Sequence, residues 1–527
     1  MGHDSSLSQQ AGAGEAPDGG DGEPPADDEA RGDDTPGHHA PARLLVASNR
    51  GPLSFTMSPD GRLSARRGGG GLVSGLMPGL SSLAEQSEVV WICAALSDAD
   101  REAARQDPDG LRFGIDSGRP SGGRTAVRAL DIPADTFQGA YNAVANATLW
   151  FVQHLLFDTP NQPRFDLAFR AKWAAYVAYN EAFADALAQE CTAETRVLVQ
   201  DYHLSLAPRL LRDRYPAARI AHFEHTPWAP PEYFQLLPDD VATAILDGML
   251  GADHAGFLAW RWADAFLDCC ATVLGAEVTR IRPGAGRVTY RNHVTEVAVH
   301  PLGVDADELR ARGRQADVQA SASALREIAR GTQLIVRVDR TELSKNIVRG
   351  LAAYRELLVT RPEWRGRVTH LAFAYPSRSG LAEYQAYTAR VHELAAEINA
   401  EFATPDWEPL ILEVKDDYPR SLAACGLADV LLINPIRDGM NLVAEEGPIL
   451  SERGCALVLS REAGAAALVG ETALLVNPYD VSATAGALHA GLVMPAAERQ
   501  RRSATIAGAA AARAPRRWLA EQVEALG

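Results

Sequence analysis

The sequence predicts an α/β protein of two Rossmann-like, parallel-sheet domains facing across a cleft. From Arg43 onward, continuously apolar runs of strand length alternate with longer segments of helical periodicity. Runs that are apolar throughout imply burial on both faces, which a βαβ succession provides by covering a parallel sheet with helices. Two such series flank the segment His300-Pro301-Leu302-Gly303-Val304-Asp305. No repeat of about 20–50 residues is present, so a solenoid is excluded. In a doubly wound pair a ligand is held at the carboxyl ends of both sheets.

The elements follow in order. Residues 1–42 hold seven Asp and three Glu against one basic residue, Arg31, with eight Gly, five Pro and Leu7 as the only large aliphatic apart from Met1. Such a segment cannot bury enough surface to offset its ordering entropy, and a disordered acidic tail is expected. Strands are expected at Leu44–Ser48, Val89–Ala95, Val197–Gln200 and Ile220–Phe223, making a first domain of residues 43–303. The charge-rich helical stretch Ala306–Ala329 opens a second domain, 304–485. Its expected strands are Thr332–Val338, Val368–Ala374, Val430–Asn434, Ala456–Ser460 and Ala473–Asn477. Residues 486–527 form a helical, Ala/Arg-rich C-terminal segment expected to pack back toward the first domain.

Composition excludes several classes. The 527 residues carry 51 Lys and Arg against 68 Asp and Glu, a net charge of −17, whereas a nucleic-acid binder needs a basic footprint. No apolar run of about 18 residues is present and the N-terminus is acidic, so membrane spanning and secretion are not expected and a cytoplasmic location is. The six cysteines show no CxxC spacing, and Cys269 and Cys270 are adjacent; reduced, mostly buried thiols are expected.

Three clusters can carry chemistry. Arg340 and Lys345 follow the strand ending near Val338, where two fixed cations could hold a diphosphate and stabilise a leaving group; a solvated charged turn would read alike. In Asn434-Pro435-Ile436-Arg437-Asp438-Gly439-Met440-Asn441-Leu442-Val443-Ala444-Glu445-Glu446 a buried strand turns at Gly439 into a helix, and free amides at a helix start bind phosphate. Eight residues separate Asp438 and Glu446, a little over two turns, so both carboxylates are expected near one face; Asp438 as a plain N-cap is the bland alternative. Val199-Gln200-Asp201-Tyr202-His203 and His222-Phe223-Glu224-His225-Thr226-Pro227-Trp228 end adjacent strands, directing Asp201 and His225 into the cleft. Ser48-Asn49-Arg50 ends the first strand, and Gly68-Gly69-Gly70-Gly71-Leu72 is a loop whose amides could approach a phosphate.

Together these segments resemble the trehalose-6-phosphate synthases, retaining glucosyltransferases of the GT-B type. The likeness runs from about Arg43 to Arg502. It adds Tyr141-Asn142 through Asn146 to Trp150, Pro376-Ser377-Arg378, and Val476-Asn477-Pro478-Tyr479-Asp480 to the clusters above. It implies transfer of glucose from UDP-glucose or GDP-glucose to glucose 6-phosphate with retention, giving α,α-trehalose 6-phosphate, with no metal or other cofactor. By motif, Gly71, Arg340, Lys345, Asp438, Gly439, Met440, Asn441, Leu442, Val443 and Glu446 would hold the donor, Glu446 at its ribose. Arg50, Tyr141, Trp150, Asp201 and Arg378 would hold the acceptor, and Asp201 and His225 would touch the reacting sugars. No nucleic-acid or membrane partner is implied, and a homo-oligomer is compatible.

The sequence departs from the family's commonest pattern at Ala94, where a second Trp is usual, at Trp228 for Phe, at Asn346 for Gly, and at Glu445 for Lys. These departures resemble the actinobacterial branch and place GDP-glucose ahead of UDP-glucose. A pseudo-glycosyltransferase of the validoxylamine 7′-phosphate synthase type, joining cyclitols through nitrogen, is one rival, and a catalytically silent sugar-phosphate sensor is another. Asp98-Ala99-Asp100 and Asp305-Ala306-Asp307 have the form of a metal-binding DxD but follow no suitable strand, and read as surface turns.

Overall fold

The computed structural model describes residues 43–527 except 59, 68–74, 78, 81–86, 107–110, 114–124, 330 and 379; the expected acidic tail lies outside the described residues. One sheet has ten strands, in spatial order Glu277–Arg282, Ala285–Tyr290, His293–Val299, His254–Phe257, Arg219–Glu224, Arg196–Gln200, Arg43–Ser48, Glu88–Ala94, Thr125–Leu130 and Leu111–Phe113. The strands from His293–Val299 to Thr125–Leu130 run parallel, and antiparallel strands finish both edges. The second sheet is parallel throughout, in the order Leu410–Glu413, Val368–Tyr375, Gln333–Arg340, Val430–Ile433, Ala456–Ser460, Leu474–Val476.

All nine strands read from apolar runs are present, with ends shifted by a residue or two. The edge strands were missed, as were the inner strands Thr125–Leu130 and His254–Phe257 and the separate hairpin of Leu53–Met57 with Leu63–Arg67. Glu277–Arg282 is exposed almost throughout, and Ala285–Tyr290 and His293–Val299 mix exposed and buried positions, as antiparallel strands with a wet face do, and so they gave no continuous apolar run. Leu410–Glu413 has only four residues.

Two expectations are corrected. Asp100 is no surface turn: it is buried, and its carboxylate accepts from the amides of Phe55, Leu96 and Ser97 at 2.8, 3.1 and 2.9 Å. Asp305 caps the helix Ala306–Gly313 by accepting from Glu308 N. The expected single stretch 306–329 is two helices, Ala306–Gly313 and Ala316–Ala329.

The chain passes between the two halves at 300–305 and again near Arg513, and Gly303 N donates to Arg513 O at 3.0 Å. A Cβ at Gly303 would press on Arg513 O and Ala510 O, so glycine permits the two passages to touch. The helix Ala496–Ala511 lies on Val443–Leu450 of the second half. The next helix, Pro515–Glu524, returns to the first sheet, where Trp518 meets the Phe223 ring edge-on at 5.0 Å. One buried apolar cluster runs from Trp91 and Phe223 through Trp518 to Val336 and Leu431 of the second sheet.

Trp518→Ala therefore opens a cavity where both halves meet. It is expected to cost about 3–5 kcal/mol, read by chemical denaturation at constant m-value.

Candidate active site

The loops that follow parallel strands converge from both sheets. In the first half, Arg196–Gln200 and Arg219–Glu224 are neighbours in register, so Asp201 and His225 leave the sheet side by side. Asp201 has φ 76° and ψ 162°, a strained conformation for a residue with a Cβ, and its amide is held by Phe223 O at 2.7 Å. Burial works to raise its carboxyl, but His203, 3.4 Å from Oδ2, and His225 outweigh it and hold the group below the usual range. Oδ1 is buried without a protein partner among the described residues. Burial keeps His225 neutral, down to about 4, and its Nε2 lies 2.9 Å from Gln200 Oε1.

Behind them stands Glu224, fully buried and pushed up to about 8, first by desolvation and then by the charge of Asp201. It accepts from Thr226 N at 3.0 Å and Oγ1 at 2.6 Å, which fixes the turn carrying His225.

In the second half, Lys345 Nζ meets Asp438 Oδ2 at 2.5 Å. Burial opposes the ammonium, but Asp438, Asp339 and Glu342 raise its pKa. Burial likewise opposes ionisation of Asp438, and Lys345 overcomes it. Arg340 is half exposed and pairs at 3.0 Å with Glu342, which is fully buried. Burial would raise Glu342, but Arg340, Arg378 and Lys345 bring it to about 2. Asn346, where the family usually has Gly, has φ 58°; its side chain donates to Asn434 O at 2.9 Å and Pro478 O at 2.7 Å, a tie that offsets the left-handed backbone.

From Gly439 to Leu442 the backbone amides donate to no acceptor among the described residues, and the helix Val443–Leu450 begins directly after them. Asn441 lies at φ 75° and donates to Asp438 Oδ2 at 3.0 Å. This corrects the expected geometry. The helix starts at Val443, so Asp438 is neither its N-cap nor on a helical face shared with Glu446. Glu446 sits a turn further on, facing the electrostatic surroundings of Tyr418 and Cys425, and burial followed by Glu445 raises it to about 7. Glu445, in place of the usual Lys, is buried against Arg513 Nη2 at 2.5 Å.

The halves already touch across the cleft. The guanidinium of Arg378, at φ 46°, stands 4.0 Å over the Trp150 ring and donates to Tyr384 Oη at 2.6 Å and Tyr202 Oη at 3.2 Å. The Trp150 indole nitrogen is buried without a protein partner among the described residues. Tyr141 is stacked between Phe137 and His203 at 5.1 and 5.5 Å. Between Arg378 and Tyr141 lie Tyr202, which accepts from Arg378, and His203, on which Tyr141 stacks. Arg50 is exposed, with no ion-pair partner among the described residues. Gly71 lies outside the described residues.

The tightest seam lies at Gly439, where a Cβ would collide with the His225 carbonyl oxygen. Trp262 Nε1 donates to Gly439 O at 2.9 Å, Arg437 Nη2 donates to Trp228 O at 3.2 Å, and Arg437 stacks on Trp262 at 4.6 Å. Glu224, Glu342, Tyr202, Trp262 and Arg437 were given no role in the sequence reading. Glu224, Tyr202 and Arg437 lie inside motifs it quotes and Glu342 lies between Arg340 and Lys345, yet only the tertiary pairing distinguishes them from their neighbours.

The arrangement sets cations and unpaired amides on one side, and a neutral imidazole with a partly unpaired carboxylate on the other. That suits an anionic leaving group beside a hydroxylated ligand. Among the described residues no group of three His, Cys, Asp or Glu side chains could hold a metal, and no helix is long and apolar enough to cross a membrane.

A family model described as Glycosyltransferase family 20 matches residues 42–527. A protein of Mycobacterium avium named trehalose-6-phosphate synthase is 32% identical over 491 residues, 92% of this chain and 95% of that protein. A Streptomyces hygroscopicus protein named validamine 7-phosphate valienyltransferase is 31% identical over 493 residues, 92% of this chain and 94% of that one. The solved α,α-trehalose 6-phosphate synthase of Burkholderia multivorans superposes with a TM-score of 0.78 at 29% identity, covering 92% of this chain and 98% of that one. The chain spans 60% or less of some longer relatives, such as the bifunctional trehalose-6-phosphate synthase/phosphatase of Thermoproteus tenax.

Gly439→Ala is expected to force the seam apart at a cost of about 1–3 kcal/mol. Gly486→Ala, on the open side of the helix Val481–Val493 with nothing near its Cβ position, is expected to be neutral or stabilising by up to about 1 kcal/mol. Urea denaturation of the two variants checks the contrast.

Proposed function

The chain belongs to glycosyltransferase family 20 and has the GT-B fold, and from that premise we propose that it moves glucose from a nucleoside diphosphate glucose to glucose 6-phosphate with retention, forming α,α-trehalose 6-phosphate. The observation that carries this reading is the Lys345–Asp438 pair beside the free amides of Gly439 to Leu442, opposite Asp201 and His225.

On this reading the donor diphosphate takes Lys345 and Arg340 as its cations and the amides of Gly439, Met440, Asn441 and Leu442 as donors, with Val443 packing beside them. Lys345 exchanges its carboxylate partner for the diphosphate, and Asp438 is freed to accept from a glucose hydroxyl. Glu446 accepts from the ribose hydroxyls. The acceptor lies between Arg50, Tyr141, Trp150, Asp201 and Arg378, its phosphate on the fork of Arg378. Asp201 Oδ1 and the Trp150 N–H, both buried without protein partners among the described residues, supply hydrogen bonds to the acceptor.

The bond from glucose C1 to the diphosphate oxygen breaks as the acceptor hydroxyl approaches from the same face. A diphosphate oxygen takes the hydroxyl proton, so the configuration at C1 is kept. Arg340 and Lys345 stabilise charge that grows on the leaving group, and the cleft holds both reactants in place.

The residues at 94, 228, 346 and 445 put GDP-glucose ahead of UDP-glucose as donor. One observation supports a second reading, cyclitol coupling through nitrogen: the valienyltransferase relative is as similar as the synthase, 31% against 32%.

Purified protein with glucose 6-phosphate and either GDP- or UDP-glucose is expected to yield α,α-trehalose 6-phosphate by NMR, faster with GDP-glucose; no disaccharide with either donor contradicts the proposal. Arg378→Ala is expected to raise KM for glucose 6-phosphate tenfold or more, about 1.5–3 kcal/mol, with nucleotide affinity unchanged. Arg340→Ala is expected to lower kcat by about a hundredfold. Lys345→Ala also loses stability, because it strands the buried Asp438. With Glu446 raised to about 7, its acceptor form is lost as pH falls through that value. Nucleotide affinity measured by calorimetry is therefore expected to weaken below pH 7 and to flatten in Glu446→Gln.

A further inference from the structure

The helix Pro515–Glu524 contributes no residue to the site described above, yet it ends a hydrogen-bond chain that reaches His225. Gln522 Nε2 donates to Trp518 O at 3.2 Å, Gln200 Nε2 lies 3.3 Å from Gln522 Oε1, and Gln200 Oε1 lies 2.9 Å from His225 Nε2. Gln200 and Gln522 are 322 residues apart and fully buried.

The direction of every bond follows from its far end. A backbone carbonyl only accepts, so Gln522 turns its amide nitrogen to Trp518 and its oxygen to Gln200. Gln200 must then present its own nitrogen to Gln522 and its oxygen to His225. The imidazole nitrogen facing that oxygen must carry the proton. Phe223 and Trp518 hold the ring edge-on at 4.9 and 5.7 Å, which opposes a ring flip. Nδ1 is left with a lone pair and no protein partner among the described residues.

We infer that Gln522 is a positioning residue: through Gln200 it fixes His225 as the Nε2–H tautomer, so that Nδ1 accepts from a hydroxyl of the reacting sugar. This rests on the proposed contact of His225 with that sugar. The neutral state of the buried imidazole is what lets one tautomer be selected.

Two variants separate polarity from packing. Gln522→Glu and Gln522→Lys both bury a charge in the same place, but a carboxylate still accepts from Gln200, whereas an ammonium donates to it and turns the Gln200 amide over. The full-length protein with 15N-labelled histidine reports the tautomer of His225, assigned by comparison with His225→Gln. Wild type and Gln522→Glu are expected to show Nε2–H, with kcat within about threefold of each other. Gln522→Lys is expected to show Nδ1–H and a kcat lower by roughly tenfold or more. If either charged variant does not fold, Gln522→Leu is read instead and is expected to show both tautomers and a reduced rate. Nδ1–H in wild type, or the same tautomer and rate in all variants, overturns the inference. Tautomers as expected in a protein that transfers no glucose would leave the chain of bonds standing and refute the functional reading alone.

Discussion

Everything at the site depends on one close approach: the backbone at Gly439 lies so near the His225 carbonyl that no Cβ fits between them. Each half alone offers an ordinary set of loops after parallel strands. The contact brings the turn from Gly439 to Leu442 against the backbone of His225, and Trp262 and Arg437 tie the same seam by hydrogen bonds and stacking. A second bridge, Arg378 over Trp150, closes the other end. The clasp of Gly303 with Arg513 holds the two chain passages together between the sheets.

The charges follow from that closure. Carboxylates that burial alone would neutralise, Asp201, Glu342 and Asp438, stay ionised because cations or histidines face them. Glu224 and Glu446 are raised instead, first by burial and then by a neighbouring carboxylate, Asp201 and Glu445 respectively. The site thus separates carboxylates that accept at any ordinary pH from carboxyls near their titration point, and it holds Arg340 and Lys345 where an anionic leaving group would otherwise meet desolvation without compensation.

The fold was legible because two-sided burial writes continuous apolar runs: Leu44–Ser48 and Ala456–Ser460 could hardly be anything but inner strands. Asp201 and His225 were legible for a related reason, since consecutive parallel strands that pair bring their carboxyl ends together. The edge hairpin from Glu277 escaped because a solvent-exposed edge writes no continuous apolar run. The face shared by Asp438 and Glu446 was misread because sequence spacing assumed a helix that begins only at Val443, after Asn441 has taken a left-handed turn. Gln522 was invisible, because nothing near it in the chain signals a partner 322 residues away. The same holds for Glu342, whose worth lies in three cations drawn from two loops.

On the proposed function, one closed seam assembles a diphosphate cradle from Arg340, Lys345 and the amides after Asp438, opposite Asp201 and His225. A crystal structure of the protein with an unreactive nucleoside diphosphate 2-fluoroglucose and glucose 6-phosphate tests it most directly. The diphosphate is expected on those cations and amides, Lys345 released from Asp438, and the acceptor phosphate on Arg378. A diphosphate bound elsewhere, with the Lys345–Asp438 pair intact, would contradict it.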